Sequence, residues 1–555
     1  MNQSLLKQNK ISRVNRASAF MDGKWIIENN LIDCLECFIE PHDKICIEGN
    51  NQKQALLLSE ALAKVNIEKI NNLHVLQSTV LFPAHMLIFE NGIANKIDFS
   101  YASVYGTRFA ELVQEGKLTI NGMHTFLELY SRYFIDLTPR VCLISAEKAD
   151  VEGNLYTGAN TEETPTIIEA TAFKDGIVIV EAKEIVKKLP RIDIPSDWVD
   201  ALVLNRNPSP IKALFTRDPA KISNTKILMA MMVIKGIYGK YGVNRLNHGV
   251  GYSTCAIELL LPTYAESLGL KGKICEYMVV NPLPTLIPAI EAGFVKHIVS
   301  PGGEVGMNEY VKSRPDVFFT GRDGSLRSNR CYAQMAGLYA IDLFAGATLQ
   351  VDIYGNSTTI TSERMPGFGG APNFGSNANA RRHCSESWLL AGRENKNHFN
   401  QIPKGKKLVL QIVETFQPFG IPSFVETLDA FDIQKKMNLP LAPIMIYGED
   451  VTHIVTEEGI ANLLLCQTAY EREQAIRCVA GLTPVGLKRD KMIIDELREK
   501  RIVTYPEDLD ILRESATEDL LAAKSIHDLV KMSNGLYDPP AKFLKKVNES
   551  TRYKQ

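Results

Sequence analysis

Short runs rich in β-branched and aromatic residues alternate along the chain with stretches of helical spacing, and glycines mark many of the changes. KICIEG (44–49), HVLQSTV (74–80), KIDFSYA (96–102) and RVCLISA (140–146) read as strands. NNQKQALLLSEALAKV, from Asn50, has the apolar spacing of a helix. Strands alternating with helices predict a mainly parallel sheet flanked by helices, an α/β fold. After the turn-rich GNLYTGANTEETP from Gly153, the strand GIVIVEA completes a first domain over residues 1–205, and NRNPSP supplies a linker at 206–210.

Residues 211–555 begin the same way. RLNHGVGYSTCAIELLLPTYAESL predicts a strand, a turn at Gly249 and Gly251, and a helix, with KICEYMVV as the next strand. This order mirrors that of the first domain and suggests a duplicated α/β unit, too irregular in period for a solenoid. HIVSPGGEVG, DVFFTG and TLQVDIYG add strands ending in glycine turns, and KLVLQIVETF and PIMIYG add two more. HIVTEEGIANLLLC predicts a strand entering a helix with Thr456 as N-cap, and from Tyr470 the chain reads as a charged helical tail.

The segment GNSTTITSERMPGFGGAPNFGSNANARRH (355–383) is where candidate chemistry concentrates. Without a Cβ, Gly367, Gly369 and Gly370 can approach a ligand closely and turn backbone amides toward an anionic oxygen, as an oxyanion hole requires. Arg381, Arg382 and His383 are candidates to hold a carboxylate against the same pocket, with Asn373 between them and the glycines. Arg364 is a further candidate, and Arg322, Arg327 and Arg330 form a second basic group. Gly249 and Gly251 occupy a strand-to-helix turn of the kind that lies at the carboxyl ends of parallel strands, where ligands bind. The turn at Gly49, Asn50 and Gln52 is a second such place, for a phosphate or carboxylate.

Composition narrows the possibilities. The 555 residues are 45% hydrophobic and 23% charged, and 62 basic against 64 acidic side chains give a net charge of −2. Nothing in that balance favours nucleic acid or an anionic membrane surface. The most apolar run, ILMAMMVI from Ile227, is too short to span a bilayer, and the amino terminus has no signal-like apolar core, so a cytoplasmic location is expected. Ten dispersed cysteines read as reduced core thiols. The lone CxxC at Cys34 and Cys37 has no second ligand pair, and no metal is expected. A serine hydrolase lacks its G-x-S-x-G elbow, and GVGYST lacks the third glycine of a dinucleotide fingerprint.

GNSTTITSERMPGFGGAPNFG resembles the glycine loop of the CoA-transferase superfamily, and VTEEGIANLL resembles its T-E-x-G-x-A-x-L motif. The ordered set EGNNQKQA, DLTPRV, GNLYTGANTEETP, LMAMMVIKGIY, DVFFTGRDGS, GFGGAPN and IYGEDVTHIVTEEGIANLLLC is similar to the α subunit family of bacterial malonate decarboxylase, over nearly the whole chain. The resemblance implies two CoA-transferase-like domains, the second bearing the glycine-rich acyl loop and helical tail. It implies exchange of acetate for malonate on an acyl-carrier-protein thioester, within a complex whose other subunits decarboxylate. The thiol would belong to a phosphoribosyl-dephospho-CoA group on the carrier subunit, and no cofactor would reside on this chain.

Within the superfamily many members form an acyl-enzyme on a glutamate, whereas the citrate lyase type is thought to let the substrate carboxylate attack directly. Spacing from Gly249 brings Glu276 near the nucleophile's place, but its neighbours match that motif poorly, and direct attack is the expectation. A citrate lyase α-like subunit, an acetate CoA-transferase and a non-catalytic assembly platform for the carrier and decarboxylase subunits are the alternatives.

Overall fold

The structure, a computed structural model, describes residues 3–27, 29–49, 53–208, 217–362, 364–377, 385–394 and 405–544. The first sheet has ten strands: β1 (Met21–Asp22), β2 (Trp25–Ile26), β3 (Lys44–Ile47), β4 (Leu73–Thr79), β5 (Ala94–Tyr101), β6 (Thr119–Met123), β7 (Val141–Asp150), β8 (Leu155–Tyr156), β9 (Ile177–Val186) and β10 (Ala201–Leu204). They lie in the order β1-β2-β10-β9-β7-β3-β4-β5-β6, with β8 paired to β7. Only β1 with β2 and β7 with β8 run antiparallel. The pleat alternates side chains between two cores: Ile45, Val75, Leu143 and Ile179 face one, and Cys46, Leu76, Cys142 and Val180 the other. Burial on both faces is what makes these strands continuous apolar runs in the sequence.

The second sheet has eight strands: β11 (Arg245–His248), β12 (Tyr277–Val279), β13 (His297–Val299), β14 (Leu343–Ala347), β17 (Leu408–Ile412), β19 (His453–Val455), β20 (Ile460–Asn462) and β21 (Val503–Thr504), in the order β13-β12-β11-β14-β17-β19-β20-β21. Its first six members are parallel neighbours. A three-stranded sheet of β15 (Gln350–Asp352), β16 (Ser357–Thr358) and β18 (Phe424–Val425) stands beside it. The helix Asn224–Val233 buries every residue from Ile227 onward, which places ILMAMMVI in the core of this half.

Three elements depart from expectation: DVFFTG and PIMIYG form no strand and contain only isolated bridges, at Phe318 and Thr320 and at Ile446, and the third is the turn at Thr456. Thr456 caps no helix, because the chain turns at Glu457, Glu458 and Gly459 and returns as β20, antiparallel to β19. Its hydroxyl donates instead to the Val479 carbonyl at 2.7 Å. A Cβ at Gly459 would lie 2.6 Å from the Thr504 carbonyl oxygen, so the hairpin depends on that glycine. After the helix Ala469–Val479 the tail consists of short helical turns, three short helices, and β21.

The glycine loop crosses from the second sheet to the first. Ile360 and Met365 join the first sheet's core, and Tyr101, at the end of β5, pairs with Gly367. Ala102 N–H donates to the Pro366 carbonyl at 2.7 Å, and Phe368 and Gly369 N–H both donate to the Ser100 carbonyl, at 2.8 and 2.9 Å. The helix Phe126–Ile135 continues the seam: Phe126 N–H donates to the Gly369 carbonyl at 3.2 Å, and the helix packs on the helix Arg330–Tyr339.

Candidate active site

Where the carboxyl ends of both sheets meet, a cavity of about 410 Å³ opens between them. Thr79, Tyr101 and Phe126 line it from the first half; Asn247, His248, Gly249, Asn281 and Gly346 follow the strand ends of the second. Gly367, Phe368, Gly369 and Gly370 close one wall. Ligands of open parallel sheets bind at such strand ends.

Each loop glycine has a different reason to be there. Gly367 has φ +77°, and a Cβ would lie 2.3 Å from the Ser100 carbonyl oxygen. Gly369 has φ +61° with room for a side chain, whereas a Cβ on Gly370 would press on the Gln334 amide at 2.8 Å. The Gly369 N–H is committed to Ser100. Among the described residues, the amides of Gly367 and Gly370 have no protein acceptor, and they are the loop's free donors.

Among the described residues three arginines line the cavity, Arg217, Arg330 and Arg364, against one carboxylate, Glu304. Arg217 is buried; its Nη1 donates to both oxygens of Glu258, at 3.0 and 2.8 Å, and to Thr285 Oγ1 at 3.2 Å. Its Nη2 is buried without an acceptor among the described residues, as is the Nε of Arg330. A guanidinium with unspent donors is a group that pairs with oxyanions, and two of them stand beside this cavity. Behind them, Glu258 is pushed up by burial, but the Arg217 charge and a hydrogen bond from His248 hold it below the usual carboxylate range. His248 itself lies 2.9 Å from the Tyr238 hydroxyl and 3.1 Å from Glu258, so its ring is held on both sides. Burial pushes Glu304 up to about 7, despite the Val305 N–H at 3.2 Å and the Arg217 charge.

The predicted residues separate accordingly. Gly249, Gly367, Gly369, Gly370, Arg330 and Arg364 line the cavity. Gly251 lies just behind, at the start of the helix Tyr252–Leu260, and Asn373 donates to Gln334 Oε1 at 2.9 Å, steadying a residue that does line it. Gly49 is buried under Thr79, and a Cβ there would lie 2.5 Å from the Thr79 carbonyl oxygen. Arg322 and Arg327 do not reach the cavity. Arg381, Arg382, His383, Asn50 and Gln52 lie outside the described residues.

Glu276 is misplaced for a nucleophile. It precedes β12, at the amino ends of the strands, where it pairs with Lys296 and accepts from Asn244 Nδ2 at 3.1 Å; these partners hold its carboxyl below the usual range. At the other end of β12 the cavity-facing residue is Asn281. Arg217, Glu304 and Gln334 were not singled out from sequence. Arg217 stands in ALFTRDPA with no local feature to distinguish it, while Glu304 was visible only as part of a glycine turn. Among the described residues no group of three His, Cys, Asp or Glu side chains is placed to hold a metal, and no helix is long and apolar enough to cross a membrane.

Two mainly parallel sheets closing on a glycine loop give the chain a CoA-transferase-like fold. A citrate lyase α subunit from Streptococcus mutans shares this fold, with a TM-score of 0.57 at 15% identity over 93% of this chain and 87% of that one. More particularly, the chain belongs to the malonate decarboxylase α-subunit family, whose model, described as malonate decarboxylase, alpha subunit, transporter, matches residues 2–546. It is 55% identical to the acetyl-S-ACP:malonate ACP transferase of Malonomonas rubra, over 96% of this chain and 97% of the relative. It also superposes with a TM-score of 0.94 on a chain of a Pseudomonas malonate decarboxylase hetero-tetramer in complex with malonate, at 50% identity over 97% of this chain and 98% of that one.

Proposed function

We propose that the chain exchanges acetate for malonate on a carrier-protein thioester, as the α subunit of a multisubunit malonate decarboxylase. The observation that carries this reading is the meeting of the glycine loop and two buried guanidiniums in one cavity. The identity with the M. rubra transferase supports it.

A carboxylate oxygen of malonate attacks the acetyl carbonyl carbon, and the negative charge that develops on the acetyl oxygen is received by the Gly367 and Gly370 amides. The C–S bond breaks, the carrier thiol leaves as thiolate, and an acetyl–malonyl anhydride remains. The thiolate then attacks the malonyl carbonyl carbon and expels acetate, giving malonyl-S-carrier. No proton is transferred in either step, so no general base is needed. Arg217 and Arg330 hold the distal carboxylate of malonate, which acetate lacks. Orientation alone can supply ~7–11 kcal/mol of the barrier, so a cavity that positions two acyl groups accounts for much of the catalysis. The acyl donor is the arm of the partner carrier, a phosphoribosyl-dephospho-CoA thioester.

The test is label transfer from malonate, citrate or acetate to the carrier, starting from its acetyl thioester, with intact masses of every protein after rapid quenching. Malonyl label on the carrier and no adduct on this chain is the expected result. Preference for citrate would reassign the substrate, an adduct on this chain would overturn direct attack, and absence of transfer by folded protein would overturn the activity.

A further inference from the structure

The segment GNLYTGANTEETP belongs to the first half of the chain and contributes nothing to the lining of the cavity, yet it grips the part of the second half that does. Glu162 is wholly buried and sits at φ +48°, a left-handed conformation that L residues with long side chains seldom adopt. Its Oε2 accepts from Arg330 Nη2 at 3.2 Å, and its Oε1 accepts from the Gly303 N–H at 3.2 Å. Its own carbonyl accepts from the Arg330 N–H at 3.1 Å, and Ser328 Oγ accepts from the Thr161 and Glu162 amides, at 3.1 and 3.3 Å.

Room for this clamp comes from the PGGE turn of the second half. A Cβ on Gly303 would lie 2.1 Å from the Asn160 amide nitrogen, and one on Gly302 would lie 2.9 Å from Glu162 Oε1. The same turn presents Pro301 and Glu304 to the cavity. Arg330 is held on its other side by the Phe126 ring, whose centroid is 4.9 Å from the guanidinium carbon. Arg330 is therefore a cavity residue of the second half whose backbone, charge and ring contact are all set by the first.

We infer that Glu162 is a positioning residue for Arg330: by fixing that guanidinium across the seam, it sets the affinity of the cavity for the second carboxylate of a dicarboxylate substrate. This inference rests on the exchange reading above. The neutral acetyl thioester asks nothing of the guanidinium at its acyl end, so only the dicarboxylate should sense a misplaced Arg330.

The experiment is steady-state exchange by the full chain, with separate KM values for malonate and for the acetyl-carrier thioester, on wild type, Glu162→Gln, Glu162→Asp, Arg330→Gln and the double variant Glu162→Gln/Arg330→Gln. A reacting group displaced by about 1 Å loses on the order of 10²-fold. The expected result is a malonate KM raised about 10- to 100-fold in Glu162→Gln, a smaller rise in Glu162→Asp, a thioester KM within about twofold of wild type, and a double variant no worse than Arg330→Gln alone. A malonate KM unchanged in Glu162→Gln overturns the inference. So does a parallel rise in both KM values, which general loosening of the seam would give, or additive losses in the double variant.

If Glu162→Gln fails to fold because it strands a buried cation, the double variant removes both charges, and its comparison with Arg330→Gln still decides. Malonate-induced elevation of the melting temperature reads the same coupling without turnover. Wild type that exchanges malonate while Glu162→Gln matches it overturns the positioning role alone; wild type that neither exchanges nor is stabilised by malonate overturns both readings.

Discussion

Replacing Gly367, Gly369 and Gly370 one at a time with alanine should separate backbone strain from steric clash, because the three sites differ in kind. At Gly367 alanine must adopt φ +77°, which costs ~1–2 kcal/mol for an L residue. Its Cβ would also lie 2.3 Å from the Ser100 carbonyl oxygen, a backbone atom with no rotamer to yield. Relief requires the loop to leave β5, weakening the bonds from Ala102, Phe368 and Gly369, each worth a net ~0.5–1.5 kcal/mol. The sum is about 2.5–6.5 kcal/mol if all three bonds are lost. At Gly369 the angle is +61° but the nearest atom, on the Phe126 ring, is 3.4 Å away, so only the ~1–2 kcal/mol of strain applies. Gly370 has φ −91°, an ordinary angle, and its added methyl would meet the movable end of Gln334. With ~2–4 °C lost per kcal/mol in a unit of 150–250 residues, melting should fall by roughly 5–26 °C, 2–8 °C and less than 2 °C respectively. Gly370→Ala should nevertheless slow exchange, because Gln334 lines the cavity. Thermal melting and exchange rates on the three proteins provide the check. A Gly367→Ala protein that melts with wild type, or a Gly370→Ala protein that melts lowest, would refute the loop geometry.

Glu276→Gln should exchange at the wild-type rate and lose no more than ~1 kcal/mol, since its partner Lys296 is half exposed; a rate reduced tenfold or more would return Glu276 to the chemistry. Arg217→Met strands the buried Glu258 charge and should cost ~3–5 kcal/mol by denaturant midpoint, with a raised malonate KM. Adding Glu258→Gln should restore stability without restoring malonate affinity, and restoration of both would remove Arg217 from the binding role. Glu48, Glu181 and Glu304 are each pushed by burial up to about 7, so the folded chain binds protons there that the unfolded chain has lost. Stability from these groups is full below the ordinary carboxylate value and falls as pH rises to about 7. The buried His85 and His453, held near 3, oppose this trend only up to their ordinary value of 6.5. Melting temperature should therefore decline between pH 6.5 and pH 7.5 by on the order of a few degrees; a rise over that window would contradict the burial of these carboxyls.

What was legible in the sequence and what was not divide along a physical line. Strands β3, β4, β7 and β9 were visible because burial on both faces forces continuous apolar runs, a local property of each segment. The glycine loop was visible for a similar reason: φ +77° is a requirement on Gly367 itself, whatever lies across from it. Spacing along the chain, by contrast, put Glu276 inside the predicted strand KICEYMVV, whereas β12 begins one residue after it, at Tyr277, and Asn281, past the carboxyl end, lines the cavity. The arginines were least legible of all. Arg330 is set apart from Arg322 and Arg327 by partners such as Glu162, 168 positions away, and Arg217 by partners such as Glu258, 41 positions on. A guanidinium becomes a binding group when burial removes water and leaves donors unspent, and both conditions are set by distant neighbours. The cavity therefore joins two kinds of information. Its backbone donors are written in the composition of one loop, while its cations acquire their role only once the two sheets have closed on each other. On the proposed reading, closure of the seam is thus a precondition for holding a dicarboxylate, and substitutions just behind the lining, at Glu162 or Gly303, should alter substrate choice before they alter the acyl-oxygen pocket.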